Sequence, residues 1–205
     1  MIQKVYSHHN SPEVISNLCA RLRDGAVLVY PMDGVYALGC HALKERAVER
    51  ICRLKQVDPK THPLSVVCKD LSAVSEYAYM STKAFKLLKN SLPGPFTFIL
   101  PAKNALPRIF RGRKGSEVGI RIPESELLVQ LLEMMDAPLM TASLPSPPDD
   151  DESYLVSPEL IDECWGDYVD LVLDAGDGRV AQTTVVSLMD DEPEVIREGE
   201  GHIDM

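Results

Sequence analysis

The sequence predicts an α/β fold: a single domain with a twisted, mixed parallel and antiparallel sheet and flanking helices. Three observations lead there. Short apolar runs of strand character alternate with amphipathic helical segments along the 205 residues, which is the signature of a sheet flanked by helices. Several links between strands are too short to hold a crossover helix, so some neighbouring strands must run antiparallel. The length suits one hydrophobic core, and no internal repeat divides it.

The elements follow in order. Lys4–Ser7 reads as a short first strand. Ser11-Pro12-Glu13 starts a helix: serine caps, proline fits the first turn and glutamate complements the dipole. Asp24-Gly25 ends it. Ala26–Tyr30 is an apolar strand running into Pro31, with Asp33-Gly34 and a second apolar run closed by Gly39 behind it. An irregular backbone at the carboxyl end of a buried strand is where α/β proteins usually bind ligands.

Residues 44–55 form an amphipathic helix, with Ala47, Val48, Ile51 and Cys52 inward and Arg46, Arg50 and Arg53 outward. Residues 56–63 are a loop and Leu64–Cys68 a strand. A helix runs from Ser81 to Asn90. Phe96–Leu100 is a strand behind the rigid Pro93-Gly94-Pro95, and residues 105–115 are a basic loop or short helix. Val118–Ile122 is a strand, 124–135 a helix and Pro138–Ser143 a strand. Residues 145–153 are a flexible, proline-rich acidic loop, with Asp149–Glu152 either solvated or turned toward a binding site. A helix from Ser157, then strands at 169–174, 183–188 and 194–197, complete a core spanning about residues 11–200.

Composition narrows the class. The five cysteines (19, 40, 52, 68 and 164) are odd in number and form no CxxC, so they read as reduced thiols of a cytoplasmic protein. No apolar run reaches the roughly 20 residues that span a bilayer, so no membrane partner is expected. Net charge is −10, unevenly spread. Residues 1–123 carry 19 Lys/Arg and nine Asp/Glu, a net of +10, whereas residues 124–205 carry two and 22, a net of −20. The first part can form a basic surface for a polyanion, or the two parts can neutralise each other across the fold.

The common phosphate-binding, hydrolase and zinc motifs are absent, and no metal site is expected. Four stretches stand out by order and spacing: Pro31–Gly39; Lys55 at a helix end; Pro93-Gly94-Pro95-Phe96-Thr97 with Arg121-Ile122-Pro123; and Thr183-Thr184-Val185 with Arg197-Glu198-Gly199. Together they resemble the YrdC/YciO family, whose best-known members are threonylcarbamoyl-AMP synthases. Pro31-Met32-Asp33-Gly34-Val35-Tyr36-Ala37-Leu38-Gly39 is similar to that family's Pro-Thr-Asp/Glu-Thr-Val-Tyr-Gly-Leu-Gly. The later stretches match its Pro-Gly-Pro-aromatic-Thr, Arg-x-Pro, Ser-Thr-Val and Arg-x-Gly.

The resemblance implies a concave basic cavity and a nucleotidyltransferase chemistry using ATP with Mg²⁺, L-threonine and bicarbonate. Carboxylated threonine attacks the α-phosphate, pyrophosphate leaves, and the adenylate serves tRNA modification. Such phosphoryl transfer rests on positioning and cationic clamps rather than on a covalent nucleophile. By the same resemblance Lys55 and Ser143 are the catalytic candidates. Tyr36, Pro31, Thr97, Arg121, Thr183 and Arg197 are the nucleotide- or substrate-binding ones. The alternative is a non-catalytic module binding RNA or tRNA, with Arg50, Arg53, Arg111, Arg113 and Lys114 on phosphates.

Four positions depart from the synthase pattern in the manner of the YciO branch. Met32 and Gly34 stand where the opening motif has threonines. Val57 replaces the arginine of Lys-x-Arg, and Pro145 replaces the asparagine of Ser-x-Asn. Valine and proline offer no side-chain donor, and each donor lost to a developing charge costs about 2.7–4 kcal/mol.

Overall fold

The protein is described by a computed structural model covering residues 1–203 except 113–114, 146–148, 150 and 191. Its elements are β1 (Ile2–Lys4), α1 (Pro12–Arg23), β2 (Val27–Pro31), β3 (Tyr36–His41), α2 (Glu45–Leu54), β4 (Leu64–Val67), α3 (Leu71–Tyr77), α4 (Thr82–Ser91), β5 (Phe96–Pro101), β6 (Arg111–Gly112), β7 (Gly115–Arg121), α5 (Glu126–Met135), β8 (Leu139–Ser143), α6 (Pro158–Trp165), β9 (Leu171–Asp174), β10 (Thr184–Ser187) and β11 (Glu194–Arg197). Short 3₁₀ turns lie at Arg108–Phe110 and Glu152–Leu155. Among the described residues, no helix is long and apolar enough to cross a membrane.

The strands form one 11-stranded sheet in the order β1-β9-β2-β3-β8-β4-β7-β5-β10-β11, with β6 paired to β7. The sheet is mixed. β1/β9, β2/β9, β4/β7 and β5/β10 are parallel. β2/β3, β3/β8, β4/β8, β5/β7 and β10/β11 are antiparallel.

Local chemistry sets the boundaries. Ser11, Ser81 and Ser125 each accept a backbone N–H in the first turn of α1, α4 and α5. Gly25, at φ +93°, takes the left-handed turn that leads α1 into β2. The first strand is Ile2–Lys4, earlier than its expected Lys4–Ser7, because those residues pair with Val172–Asp174. Beyond them Asn10 folds back to bond both backbone groups of Tyr6. Helix α3 was not anticipated; its signal is Asp70, whose carboxylate accepts from Ala73 N at 2.7 Å.

The sheet has two unequal faces. One is buried by a core that takes Val66, Phe96, Phe98, Val118, Ile120 and Met140 from the strands and Val48, Ile51, Leu88 and Ile161 from α2, α4 and α6. On the other, α1 and α5 cover Leu28, Tyr30, Ala37, Val67, Leu139 and Leu171. The alternate residues of β4, β5, β7 and β8 that face this second side are Ser65, Thr97, Gly119 and Thr141, and there an open cleft replaces helical cover.

The two charge halves interlock. Lys4 pairs with Asp174, Arg50 with Asp170, Lys69 with Asp136 and Lys83 with Glu192. Four cations of the basic residues 1–123 are thus paired with the acidic part.

At the sheet centre, Gly39 lies under the Tyr30 ring, and a Cβ there would collide with Tyr30 Cε1. The Tyr30 hydroxyl donates to Thr141 Oγ1 at 2.7 Å, so the ring has no free path aside. Gly39→Ala is expected to destabilise the protein by about 1–3 kcal/mol, read as a lower urea midpoint.

Candidate functional site

The cleft has two lobes sharing Arg121, Ser143, Thr183 and Arg197. The inner lobe, about 290 Å³, lies over the sheet, floored by Ser65, Thr97, Gly119 and Thr141. The outer lobe, about 370 Å³, extends past the strand ends to the β2–β3 turn and the segment 180–182. A Cβ on Gly119 would strike Ser65 Oγ, so glycine keeps this floor open.

Lys55, at the carboxyl end of α2, reaches round the end of β8. Its ammonium donates to Ser143 Oγ at 2.8 Å and to Leu144 O at 3.1 Å. Burial pushes its pKa below the ordinary 10.5. Opposite, Arg197 donates from Nε and Nη2 to Thr183 O at 3.2 and 2.9 Å and from Nη2 to Thr183 Oγ1 at 3.2 Å. Thr183 Oγ1 also lies 3.3 Å from Thr97 Oγ1.

Between them, Arg121 Nη2 donates to Asp33 Oδ2 at 2.8 Å. Their side chains are only 15% and 12% exposed, so this pair is shielded from solvent. Arg121 Nε is buried and has no hydrogen-bond partner among the described residues. Burial pushes the Asp33 carboxyl up, and the Arg121 guanidinium draws it partway back.

A strap closes the outer side. Arg179 N donates to Gly34 O at 3.1 Å, and Gly178 N to Val156 O at 2.8 Å. Arg179 also forms an ion pair with Glu200, whose N–H donates to Gln182 O at 2.9 Å. Gly34 has φ +131°, and a Cβ on it would lie 2.7 Å from Ala181 Cβ and 2.8 Å from Arg179 O. The strap therefore fills the space in which any side chain at position 34 would stand.

The structure brings most of the sequence candidates together. Lys55, Ser143, Tyr36, Arg121, Thr183 and Arg197 line the outer lobe, and Thr97 the inner one. Tyr36 is fully engaged: its hydroxyl donates to Gly176 O at 2.7 Å and accepts from Ala175 N at 3.1 Å. Burial pushes its pKa up to about 12. Pro31 lines neither lobe and pairs with Tyr36 across the hairpin.

Of the basic residues proposed for RNA, Arg50, Arg53 and Arg111 do not line the cleft. Arg50 is bound to Asp170 (2.5 Å) and to Tyr168 O (2.7 Å), at the end of β9 away from Gly176. Arg53 pairs with Glu49 one turn back. Arg111 is exposed, and Arg113 and Lys114 lie outside the described residues. The acidic loop contributes Glu152 to the cleft; residues 146–148 and 150 lie outside the described set. The cavity is less basic than expected, with Lys55, Arg121 and Arg197 facing Asp33 and Glu152. Val57 packs against the hydrophobic core rather than lining the cleft, whereas Pro145 does line it.

Sequence reasoning passed over Asp33 as a side-chain contact, and over Ser65, Thr141, Gly119 and Gln182. The floor residues carried a period-two signal in LSVV, FTFIL, EVGI and LMTA, where small or hydroxylated residues alternate with large apolar ones. Gln182 had none, and Asp33, though it stands at the Asp/Glu of the opening motif, gave no sign of its Arg121 partner 88 residues away.

Fold and cleft together define a class: α/β proteins with an open mixed sheet whose uncovered face carries a cation-rimmed, hydroxyl-floored cleft. Residues 20–199 match the Sua5/YciO/YrdC family, described as "Telomere recombination", and the chain belongs to that family. It is 38% identical to the protein YciO of Escherichia coli K12, over 99% of this chain and 98% of that protein. It is 29% identical to a putative threonylcarbamoyl-AMP synthase of Methanocaldococcus jannaschii, over 97% and 92%. The crystal structure of E. coli YciO superimposes with a TM-score of 0.90 at 36% identity, covering 98% and 97%. That of P. abyssi Sua5 complexed with L-threonine gives 0.82 at 25% identity, covering 97% of this chain and 57% of the other.

Two consequences can be measured. Asp33→Ala leaves the Arg121 guanidinium buried without its partner and is expected to cost about 3–5 kcal/mol, seen in denaturant unfolding. Because Lys55 has a lowered pKa in the folded state, that state releases its proton before the unfolded chain does. Stability therefore rises with pH between the lowered value and 10.5. Wild type should gain on Lys55→Met as pH climbs toward 10.5, and the difference should be flat near neutrality.

Proposed function

We propose that the cleft binds ATP, with Mg²⁺ accompanying the phosphates, together with a small amino acid, and that the protein is an adenylate-forming relative of the threonylcarbamoyl-AMP synthases. The observation that carries this reading is Lys55 seated on Ser143 at the rim of a cleft whose far side holds Arg121 and Arg197. Three cations around a hydroxyl-lined floor suit a polyphosphate, which needs distributed positive charge and many donors. Kinship with threonylcarbamoyl-AMP synthases supports the same chemistry.

The residues have distinct parts in this reading. Lys55 and Ser143 hold the phosphates at the rim. Arg197, fixed by Thr183, and Arg121, fixed by Asp33, stand where negative charge grows as pyrophosphate leaves. None must reorganise far, since each is already hydrogen-bonded in the cleft, and preorganised donors are worth most in a shielded site. Pro145 removes a donor of the synthase pattern from the lining of the cleft, which points to slow or altered turnover. The RNA-binding reading is less favoured, since Arg50 and Arg53 already hold carboxylates.

Calorimetric titration with ATP and Mg²⁺ is expected to give one saturable site, weakened at least about tenfold by Lys55→Ala, in line with losing a charge-assisted hydrogen bond. Absence of ATP binding by the folded wild type overturns the reading. Pyrophosphate release supported by bicarbonate and an amino acid, L-threonine among those tried, and exceeding the Lys55→Ala control, identifies the protein as an enzyme.

A further inference from the structure

We infer that Tyr30, a core residue that lines neither lobe, is a positioning residue of the cleft: acting through Thr141, it fixes a floor hydroxyl as a donor to a phosphate oxygen of the ligand. The inference rests on the nucleotide reading above. Tyr30 stands on β2 and Thr141 on β8, with β3 between them. On β3 the residue paired with Thr141 is Gly39. With no side chain at that point, the Tyr30 ring lies across β3, and its hydroxyl meets Thr141 Oγ1 at 2.7 Å.

The direction of that hydrogen bond follows from what each group can reach. Tyr30 is 1% exposed, and its hydroxyl has no partner but Thr141 among the described residues. Burial holds the phenol above its ordinary 10.0, so it keeps its proton. A buried O–H without an acceptor is costly, so that proton goes to Thr141. Thr141 Oγ1 then accepts from Tyr30, and its own proton has no acceptor among the described residues. Thr141 lines the inner lobe, so this proton is directed at whatever the cleft holds.

Two neighbours are set in the same way. Ser143 Oγ accepts from Lys55, which leaves its O–H to donate. Thr183 Oγ1 accepts from Arg197 and lies against Thr97 Oγ1. Whichever threonine donates to the other, one proton remains for the cleft. A hydroxyl can donate or accept, but here upstream donors turn three of them the same way. Ser65, on the same floor, has no such upstream donor among the described residues. Oriented O–H donors suit oxygens that only accept, as ionised phosphate oxygens do. Thr141 and Ser143 are two apart on β8, so they share a face at a spacing of roughly 7 Å. A polyphosphate anchored at Ser143 therefore has Thr141 as its next donor inward.

The experiment is calorimetric titration of the full chain with ATP and with inorganic pyrophosphate, each with Mg²⁺. Thr141→Val should weaken both at least about tenfold, in line with losing a hydrogen bond to a charged group, whereas Thr141→Ser should retain wild-type affinity. Tyr30→Phe keeps the ring and removes the upstream donor; it should weaken both about three- to fivefold, since hydrogen bonds in a chain strengthen one another. In the Thr141→Val background, Tyr30→Phe should change neither affinity. That double variant leaves no buried phenol unpaired; if Thr141→Val alone does not fold, Tyr30→Phe against wild type decides. A Tyr30→Phe variant that only lowers the urea midpoint, with both affinities unchanged, overturns the inference. So does an equal loss of affinity in both backgrounds. Coupling seen with pyrophosphate while ATP does not bind overturns the nucleotide reading alone. ATP binding that depends on Lys55 but not on Tyr30 overturns only this inference, and binding of neither anion by the folded wild type overturns both.

Discussion

A wide sheet that is helically covered on one face and half-covered on the other must change its chemistry where the cover ends. That constraint shapes this protein. Along β4, β5, β7 and β8 the residues on the fully covered face are Val66, Phe98, Ile120 and Met140, all buried. Their neighbours on the open half are Ser65, Thr97, Gly119 and Thr141. Apolar side chains left there would form an exposed patch; hydroxyls and glycine make a floor that water or a polar ligand can wet. The cationic rim is then supplied from outside the floor, by the end of α2, the end of β7 and β11.

The departures from the synthase pattern acquire separate physical meanings. Val57 is a packing residue: its side chain joins the core beneath α2, and a guanidinium there would have to leave that core to reach the cleft. Pro145 is a true change of lining, since it borders the cleft and lacks a donor. Gly34 is a change of architecture, because its missing side chain is the room in which the strap rests. Equal counting of the three as lost donors would misjudge two of them.

Much of the architecture was legible in the sequence because it rests on local signals. Ser11, Ser81 and Gly25 marked helix ends, and the runs at 26–30, 64–68 and 96–100 marked strands close to where they lie. The family resemblance assigned Lys55, Ser143, Arg121 and Arg197 to one site although they are far apart in the chain, and all four line the cleft. What escaped was set by distance. The Asp33–Arg121 pair joins residues 88 apart, and nothing in either neighbourhood announces it. The diversion of Arg50 to Asp170 links positions 120 apart, so a helix face read as solvent-directed proved to be tied down. The engagement of the Tyr36 hydroxyl by Gly176 is of the same kind.

The strand order has a consequence for how the chain comes to be folded. β8 inserts between β3 and β4, β9 between β1 and β2, and β10 joins β5. The acidic later part of the chain thus threads its strands among those of the basic earlier part, and Lys4 waits for Asp174. Until β8, β9 and β10 are made, the first 123 residues carry a net charge of +10 and β1, β2, β3, β4 and β5 each lack a neighbour they have in the finished sheet. Closing such distant pairings is entropically slow. Attraction between the two oppositely charged parts favours the encounter that completes the sheet, and the same edges are the ones an emerging chain must keep from pairing with its neighbours.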